Sequence, residues 1–162
     1  MAERATTQRR GLVALVGAVA AAALLEFTPK FEGTELTTYR DLGGVLTYCT
    51  GATEDAQWGR TYTPDQCRAQ LDRDLERHAA GIARCLPLAR MTDGQKVAFV
   101  DVAYNIGVGA FCGSSMARRA NAGDMTGACD ALLMWNKVGG KEVRGLTRRR
   151  QAERELCLRG LP

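Results

Sequence analysis

The chain has 162 residues, of which 46% are hydrophobic and 25% are charged, and its net charge is +4 at neutral pH. These values are typical of one folded domain with its own core and exclude an intrinsically disordered chain. The charge suits a polyanionic partner, but no nucleic-acid-binding motif accompanies it, so we expect no nucleic acid partner.

The N-terminus carries an uncharged apolar run at residues 11–25, preceded by three arginines. This layout predicts an export signal whose positive end stays in the cytoplasm. A stable membrane-spanning helix needs about 20 apolar residues, whereas this run has 15 and is rich in alanine. Two interpretations stay open: a signal peptide cleaved beside one of its alanines, or an uncleaved anchor that can leave the membrane. The predicted division is an N-terminal segment at residues 1–26 and a folded domain at residues 27–162.

The rest of the chain predicts a small β-rich segment followed by helices, which is an α+β fold. Glycines punctuate β-prone residues from 27 to about 58 and indicate short strands and turns. Capping boxes predict helix starts at Thr63 and Thr92, with the first helix ending near Arg84 and the second, a core helix, at Gly107. Shorter helices are expected near residues 114–120, 124–135 and 147–158.

Several charged residues are interpreted as structural. The run from Arg148 to Arg150 and the mixed charges of residues 68–77 are read as solvated helix faces. The lone His78 lies at the edge of an apolar helical face and is left out of the site.

Six cysteines are many for a cytosolic protein of this size, and none has the CxxC spacing of a zinc or redox site. We expect disulfides and an oxidising compartment such as the bacterial periplasm, with buried free cysteines as the alternative. No metal and no cofactor are expected. The six are Cys49, Cys67, Cys85, Cys112, Cys129 and Cys157.

Three polar residues form the candidate site. Glu32 and Asp41 are nine residues apart, and Thr47 lies six further on. If Glu32 ends a short helix and the other two lie on neighbouring β segments, all three could face one cleft. Glycoside hydrolysis needs one carboxyl to protonate the leaving oxygen and another, ionised, to activate water. The spacing alone is weak evidence, because any acidic loop provides such a pair.

The surrounding residues resemble the phage-type lysozymes, glycoside hydrolase family 24. The family's FEG, Y-x-D and GxxT motifs are matched by FEG at 31–33, YRD at 39–41 and GGVLT at 43–47, and the resemblance covers nearly all of residues 27–162. It implies a lysozyme-like fold and cleavage of the β-1,4 bond between N-acetylmuramic acid and N-acetylglucosamine in peptidoglycan. Glu32 is then expected to be the general acid, while Asp41 and Thr47 position and activate water. The reaction is expected to invert the anomeric centre of the sugar. Inversion needs the two carboxyl groups roughly 6.5 to 9.5 Å apart, so that a water fits between them and the bond.

The N-terminus resembles the subgroup of endolysins that have a signal-anchor-release segment. The resemblance implies that residues 11–25 tether an inactive, monomeric enzyme to the host inner membrane. A holin or pinholin would then depolarise the membrane and release the enzyme into the periplasm. Only six residues separate Leu25 from Glu32, so we expect release to let this stretch refold against the domain. Pro29 must start or kink any helix there.

The sequence departs from the family pattern at Ala52, and two other functions stay open. Many family members have a histidine where this chain has Ala52, which removes a structural partner but none of the three candidate residues. A non-catalytic, membrane-tethered peptidoglycan-binding protein is the alternative from another class, and a lytic transglycosylase, which needs the Glu alone, is the alternative enzyme.

For the cysteines we propose pairing between neighbours, although six cysteines allow fifteen pairings. The proposed pairs are Cys49 with Cys67, Cys85 with Cys112, and Cys129 with Cys157.

Overall fold

A computed structural model describes residues 11–162 and has the α+β organisation expected from the sequence. The predicted positive end of the export signal, at residues 1–10, lies outside the described residues. Residues 11–16 are helical. The named elements that follow are α1 (Ala18–Phe27), α2 (Pro29–Glu32), β1 (Glu35–Arg40), β2 (Leu46–Cys49), α3 (Pro64–Ile82), α4 (Asp93–Ile106), α5 (Val108–Cys112), α6 (Ser115–Asn121), α7 (Met125–Ala131), β3 (Lys137–Val138), β4 (Lys141–Glu142) and α8 (Arg144–Arg159). Short 3-10 helices occur at Leu88–Arg90 and Leu132–Met134.

Both predicted capping boxes are present. The Thr63 hydroxyl accepts the backbone N–H of Gln66, and the Gln66 side chain accepts the backbone N–H of Thr63. Thr92 and Gln95 exchange the same two bonds at the start of α4. Gly107 ends α4 with a φ of 93°, a conformation that favours glycine. The starts of the two longest predicted helices are therefore confirmed.

Helix α4 is the centre of the hydrophobic core. Val97, Phe99, Val100 and Val102 are 0% exposed, and α1, α3 and α8 all pack against this helix. A helix that is buried all round must be surrounded by other elements, and here one of those elements is the N-terminal apolar segment.

The apolar run lies in this core. Leu12, Val16, Ala20 and Leu24 are each 0% exposed, and within each helical stretch the spacing of four residues puts the pair on one face. Gly17 interrupts the helix with a φ of 86° and a ψ of 162°, a conformation that a side chain would strain. Residues 11–26 of the predicted N-terminal segment and the predicted domain at 27–162 thus share one hydrophobic core in this structure.

Among residues 11–162, no helix combines the length and the apolarity that crossing a membrane requires.

The β segment is a hairpin tied to the helical body. β1 and β2 are antiparallel, with Tyr39 opposite Thr47, and a following loop adds a bond from the Tyr62 N–H to the Leu36 carbonyl of 2.7 Å. The disulfides are Cys49–Cys67, Cys85–Cys112 and Cys129–Cys157, which are the neighbouring pairs proposed from the sequence. Since Cys49 ends β2 and Cys67 lies in the first turn of α3, the first disulfide fixes the hairpin against α3.

Candidate active site

The junction between α1 and α2 places Glu32. The Thr28 N–H donates to the Leu24 carbonyl at 3.0 Å, and the Thr28 carbonyl accepts the Glu32 N–H at 3.2 Å. Pro29 occupies the first position of α2, where its missing N–H costs the helix no bond. Glu32 is the last residue of α2, so the break expected at Pro29 starts the short helix that carries the candidate acid.

Glu32 lines a polar cleft of about 390 Å³ between the loop after β2 and the helical body. This volume falls within the range of sites that bind small molecules or single sugar units. Tyr104 and Asn105 of α4 line the cleft with Glu32. The other lining residues are Thr50, Gly51, Ala52, Thr53, Glu54, Gln70, Asp74, Arg77 and His78.

Asp41 and Thr47 lie on the hairpin, and neither is among the described residues that line this cleft. Asp41 follows β1, and its Oδ1 accepts the N–H groups of Gly43 and Val45, both at 2.9 Å. Thr47 lies in β2 and donates to the Val45 carbonyl at 3.0 Å. Glu32 thus ends a short helix and Thr47 lies on a strand, as expected, whereas Asp41 lies one residue beyond β1 in the hairpin turn. The expectation that all three line one cleft stays a prediction.

Arg149 holds Glu32, and sequence reasoning missed it. Its Nη1 donates to Glu32 Oε1, while its Nε and Nη2 donate to the two oxygens of Asp101 at 2.9 and 3.0 Å. The guanidinium also lies 5.6 Å from the centre of the Phe31 ring, within range of a cation–π contact. One arginine therefore joins the candidate acid on α2 to a buried carboxylate on α4.

The interpretation of the Arg148–Arg150 run as a solvated face was wrong for two of its members. Arg149 and Arg150 are 3% and 0% exposed, and buried acidic side chains lie beside both of them. Glu153 lies 3.5 Å from Arg149 Nε and 3.1 Å from Arg150 Nη1, and Arg150 also donates to Asn105 in the cleft wall. Glu153 follows Arg149 by four residues and Arg150 by three, and this helical spacing was the signal in the sequence that could have indicated the pairing.

The buried acids near Arg149 have opposite charge states. Burial alone would raise the pKa of Asp101, but hydrogen bonds from Glu153 and Arg149 and the charge of Arg149 outweigh it and lower that pKa. Burial raises the pKa of Glu153 well above its ordinary value, and the neighbouring Asp101 raises it further. Asp101 therefore favours the negative charge of the pair, and Glu153 favours the proton.

Tyr104 stays neutral, because burial and then the charge of Glu32 raise its pKa. Its hydroxyl donates to the Thr50 carbonyl at 2.5 Å. This bond joins α4 to the loop after β2, so it fixes the width of the cleft.

The charged face of α3 also differs from the prediction. Asp72 and Asp74 are 3% and 6% exposed, so reading them as solvated was wrong. The Asp74 carboxylate pairs with Arg77 and accepts the Gln70 amide at 3.3 Å. His78, left out of the site, lies in the cleft wall, where its Nδ1 is 2.6 Å from the Asp74 carbonyl.

Within residues 11–162, no group of three or more His, Cys, Asp or Glu side chains is arranged to hold a metal ion.

Glu153→Gln is expected to raise Tm at neutral pH, because burial and the neighbouring Asp101 raise the pKa of Glu153 in the folded chain. The unfolded chain ionises Glu153 above a pH of about 4.3 while the folded chain keeps the proton, so the wild type loses stability as the pH rises through this range. Glutamine has no proton to lose and avoids the penalty. Thermal unfolding at about pH 4 and about pH 7 measures the difference, which should be absent at the lower pH.

The matched control is Glu155→Gln, two residues along α8, where the carboxylate is 53% exposed and pairs with Arg159. It should change Tm little at either pH. A gain from Glu153→Gln that is the same at both pH values would contradict the assignment of a protonated Glu153.

Comparison with known proteins identifies the family. The phage lysozyme family model matches residues 29–153. The SAR-endolysin of Enterobacteria phage PA-2 is 39% identical over 161 residues, which cover 94% of this chain and 96% of the relative. The solved endolysin of Escherichia coli O157:H7 phage FAHEc1 is 31% identical with a TM-score of 0.76, over 85% of this chain and 92% of that one.

The P1 phage endolysin Lyz gives a comparison with two conformations. Its active form superposes with a TM-score of 0.77 over 98% of this chain and 95% of its own, at 23% identity, which shows a shared fold. Its secreted inactive form superposes with a TM-score of 0.51, over 67% of this chain and 77% of its own, at 25% identity. The family match over residues 29–153, the PA-2 relative and the FAHEc1 structure together show that the chain belongs to the phage lysozyme family. It is a phage endolysin with muramidase activity.

Proposed function

We propose that Glu32 is the general acid with which this endolysin hydrolyses the β-1,4 bond between N-acetylmuramic acid and N-acetylglucosamine. The main support is the position of its carboxyl, which lines a polar cleft of about 390 Å³ and is held through Oε1 by Arg149. Oε2 would carry the proton to the leaving oxygen. Fixing one oxygen and leaving the other for the substrate is the positioning that general acid catalysis needs.

Asp41, with Thr47, would position and activate the attacking water on the other side of the sugar. The Asp41 carboxylate receives two backbone N–H groups at 2.9 Å, and these bonds fix its orientation in the hairpin turn. The Thr47 hydroxyl is bound to the Val45 carbonyl two residues away, on the strand that faces β1. A second carboxylate that activates water, rather than attacking the sugar itself, leads to inversion of the anomeric centre.

The products test this mechanism. Purified enzyme acting on peptidoglycan should release fragments that end in a reducing N-acetylmuramic acid, first formed as the α anomer. A β anomer in the first turnover would indicate a covalent intermediate and remove Asp41 from its role as a base. A 1,6-anhydro end would show a lytic transglycosylase, which needs Glu32 but no activated water.

Residues 11–25 would first tether the enzyme to the host inner membrane and later become part of its core. The support is the burial of Leu12, Val16, Ala20 and Leu24, because a side chain cannot lie in the bilayer and in the protein core at once. Packing of the segment therefore requires its release. A holin or pinholin that depolarises the membrane would provide the trigger, and the released enzyme would act in the periplasm.

The same burial favours an uncleaved segment over a cleaved signal peptide. Cleavage beside the alanines at 18–22 would remove Leu12 and Val16 from a cluster in which both are fully buried. The greater likeness to the active than to the inactive form of the P1 phage endolysin, which concerns the fold alone, agrees with a described conformation in which the segment has left the membrane.

A further inference from the structure

We propose that a groove along α3, which opens from the cleft of Glu32, binds the stem peptide of peptidoglycan through the ion pair between Arg77 and Glu54. The stem peptide is the short peptide that the lactyl group of N-acetylmuramic acid carries. The inference rests on the proposed hydrolysis at Glu32 and concerns residues outside the three candidates of the signature.

The groove is a second polar cavity that adjoins the cleft. Its volume is about 550 Å³, and its lining residues come from β2, the loop after β2 and α3. Four residues line both the groove and the cleft, so the two cavities are continuous. The shared residues are Glu54, Gln70, Asp74 and Arg77.

The position of the groove suits the peptide. The sugar whose bond is cleaved is the one that carries the peptide, so the peptide begins within one sugar of Glu32. An extended peptide advances about 3.3 Å per residue. Its first few residues can therefore enter a groove that opens directly from the cleft.

The groove carries charges of both signs, as a ligand with both signs requires. Arg77 Nη1 donates to Glu54 Oε2 at 3.0 Å, while Asp55, Glu76 and Arg73 also line the groove. A stem peptide has free carboxylates, and a diamino acid in it adds an ammonium group. Arginine binds a carboxylate through two parallel N–H groups, and a glutamate accepts from an ammonium. A chain of neutral sugars offers no charge to either side chain.

The Arg77–Glu54 pair can open for a ligand at little cost. Its side chains are 60% and 68% exposed, and ion pairs as exposed as this one contribute little to stability. A carboxylate of the peptide would take the place of Glu54 on Arg77, and an ammonium group would bind the released Glu54. The two charges of the protein would then face the two opposite charges of the peptide.

Asp74 keeps Arg77 in position when Glu54 is released. The buried Asp74 carboxylate pairs with Arg77 Nη2 from three residues earlier on α3. It also accepts the Gln70 amide at 3.3 Å, so Asp74 is itself anchored on the helix. Glu54, in contrast, belongs to the loop after β2. The guanidinium is therefore fixed to α3, and the exposed loop carries the carboxylate that exchanges.

The test compares soluble, uncross-linked glycan strands that carry stem peptides with the same strands after an amidase has removed the peptides. The measured quantity is the ratio of kcat/KM on peptide-bearing strands to kcat/KM on bare strands. In the purified full chain, Arg77→Gln should lower this ratio about five- to tenfold, as for one lost hydrogen bond. The loss should lie in KM, because the peptide is bound equally before and in the transition state.

Glu54→Gln tests the other half of the pair. It should lower the same ratio, but only for stem peptides whose diamino acid has a free amine. After acetylation of that amine, Glu54→Gln should no longer lower the ratio, whereas Arg77→Gln still should. A loss from Glu54→Gln that is the same with free and acetylated amines would overturn the proposed pairing.

The matched control is Arg159→Gln, which also breaks an exposed arginine–glutamate pair. Arg159 and Glu155 are 78% and 53% exposed and lie 2.8 Å apart on α8, and neither lines the groove. This variant should keep the ratio of the wild type. A fall as large as that of Arg77→Gln would mean that the ratio reports lost surface charge and not a site.

Direct binding separates the role of Arg77 from any effect on the cleft. A synthetic stem peptide, titrated into the wild type and followed by amide NMR shifts, should bind about five to ten times more weakly to Arg77→Gln and equally well to Arg159→Gln. If the wild type does not cleave bare strands at all, the peptide is essential and this titration decides whether Arg77 binds it.

The outcomes distinguish this inference from the proposed function. If Arg77→Gln keeps the ratio of the wild type, or binds the free peptide as well as the wild type does, the inference fails while the proposed acid stands. If Glu32→Gln cleaves both kinds of strand as fast as the wild type, the proposed acid itself fails.

Discussion

Glu32→Gln is expected to abolish lysis of bacteria that export the protein, and to lower the activity of the purified enzyme on cell walls by about 10²- to 10⁴-fold. Glutamine keeps the size of the side chain and an oxygen that can accept from Arg149, so the fold should persist. What it lacks is the proton that the leaving oxygen must receive. Culture turbidity after expression and the rate of cell-wall clearing by equal amounts of protein measure the two effects.

Two other acids in the same cleft make this prediction specific. Asp74 pairs with Arg77 on its own helix, and Glu54 pairs with the same arginine at 3.0 Å, so both are engaged with a charge that does not touch Glu32. Glu155→Gln on the surface of α8 is the control for the general effect of losing a carboxylate and should lyse like the wild type. Equal lysis by Glu32→Gln and the wild type would contradict the assignment.

The local parts of this fold were predictable from the sequence. Thr63 and Thr92 start helices because the capping box is complete within four residues, and neighbouring cysteines pair because short elements bring them together. The candidate Glu32 was found through a motif whose members all lie within residues 31–47. In each of these cases the interacting residues are close in the chain.

Arg149 and Asp101 were not predictable in this way. Arg149 meets Glu32 across 117 residues and Asp101 across 48, and no local pattern reports such contacts. An arginine run reads as exposed because burial of a charge is costly unless carboxylates compensate it. Here the Asp101 carboxylate, on a different helix from Arg149, does so.

The apolar run was ambiguous for a different reason. A bilayer and a protein core both favour Leu, Val and Ala, so hydrophobicity alone cannot separate an anchor from a core helix. Gly17 distinguishes the packed segment from a continuous membrane helix. Its φ of 86° breaks a helix that would otherwise continue through the run. The position of the break is readable only from the folded chain.

A cleavable export leader placed before residue 27 is expected to deliver a protein without lytic activity, whereas the same leader before residue 11 should deliver an active enzyme. The shorter chain lacks Leu12, Val16 and Leu24, all fully buried. Loss of one buried leucine side chain costs about 2–5 kcal/mol, against a total stability of about 5–15 kcal/mol for a typical domain. It also lacks the helix that positions Thr28.

The three disulfides all lie after residue 27, so the shorter chain should keep its cross-links and still be recovered from the periplasm. It should be inactive on purified cell walls and be digested faster by added protease. Full activity of the shorter chain would show that the segment is only a tether.

Two valines in the segment separate the role in the core from the role in the membrane. Val16 is 0% exposed and Val19 is 59% exposed, although both would face lipid or a neighbouring helix in a bilayer. Val16→Ser and Val19→Ser lower the hydrophobicity of the run equally, so both should change membrane tethering alike. Only Val16→Ser should also lower Tm and activity after release, because it leaves a cavity and a hydroxyl in the core. Equal Tm and activity for the two released variants would mean that the segment does not pack as described.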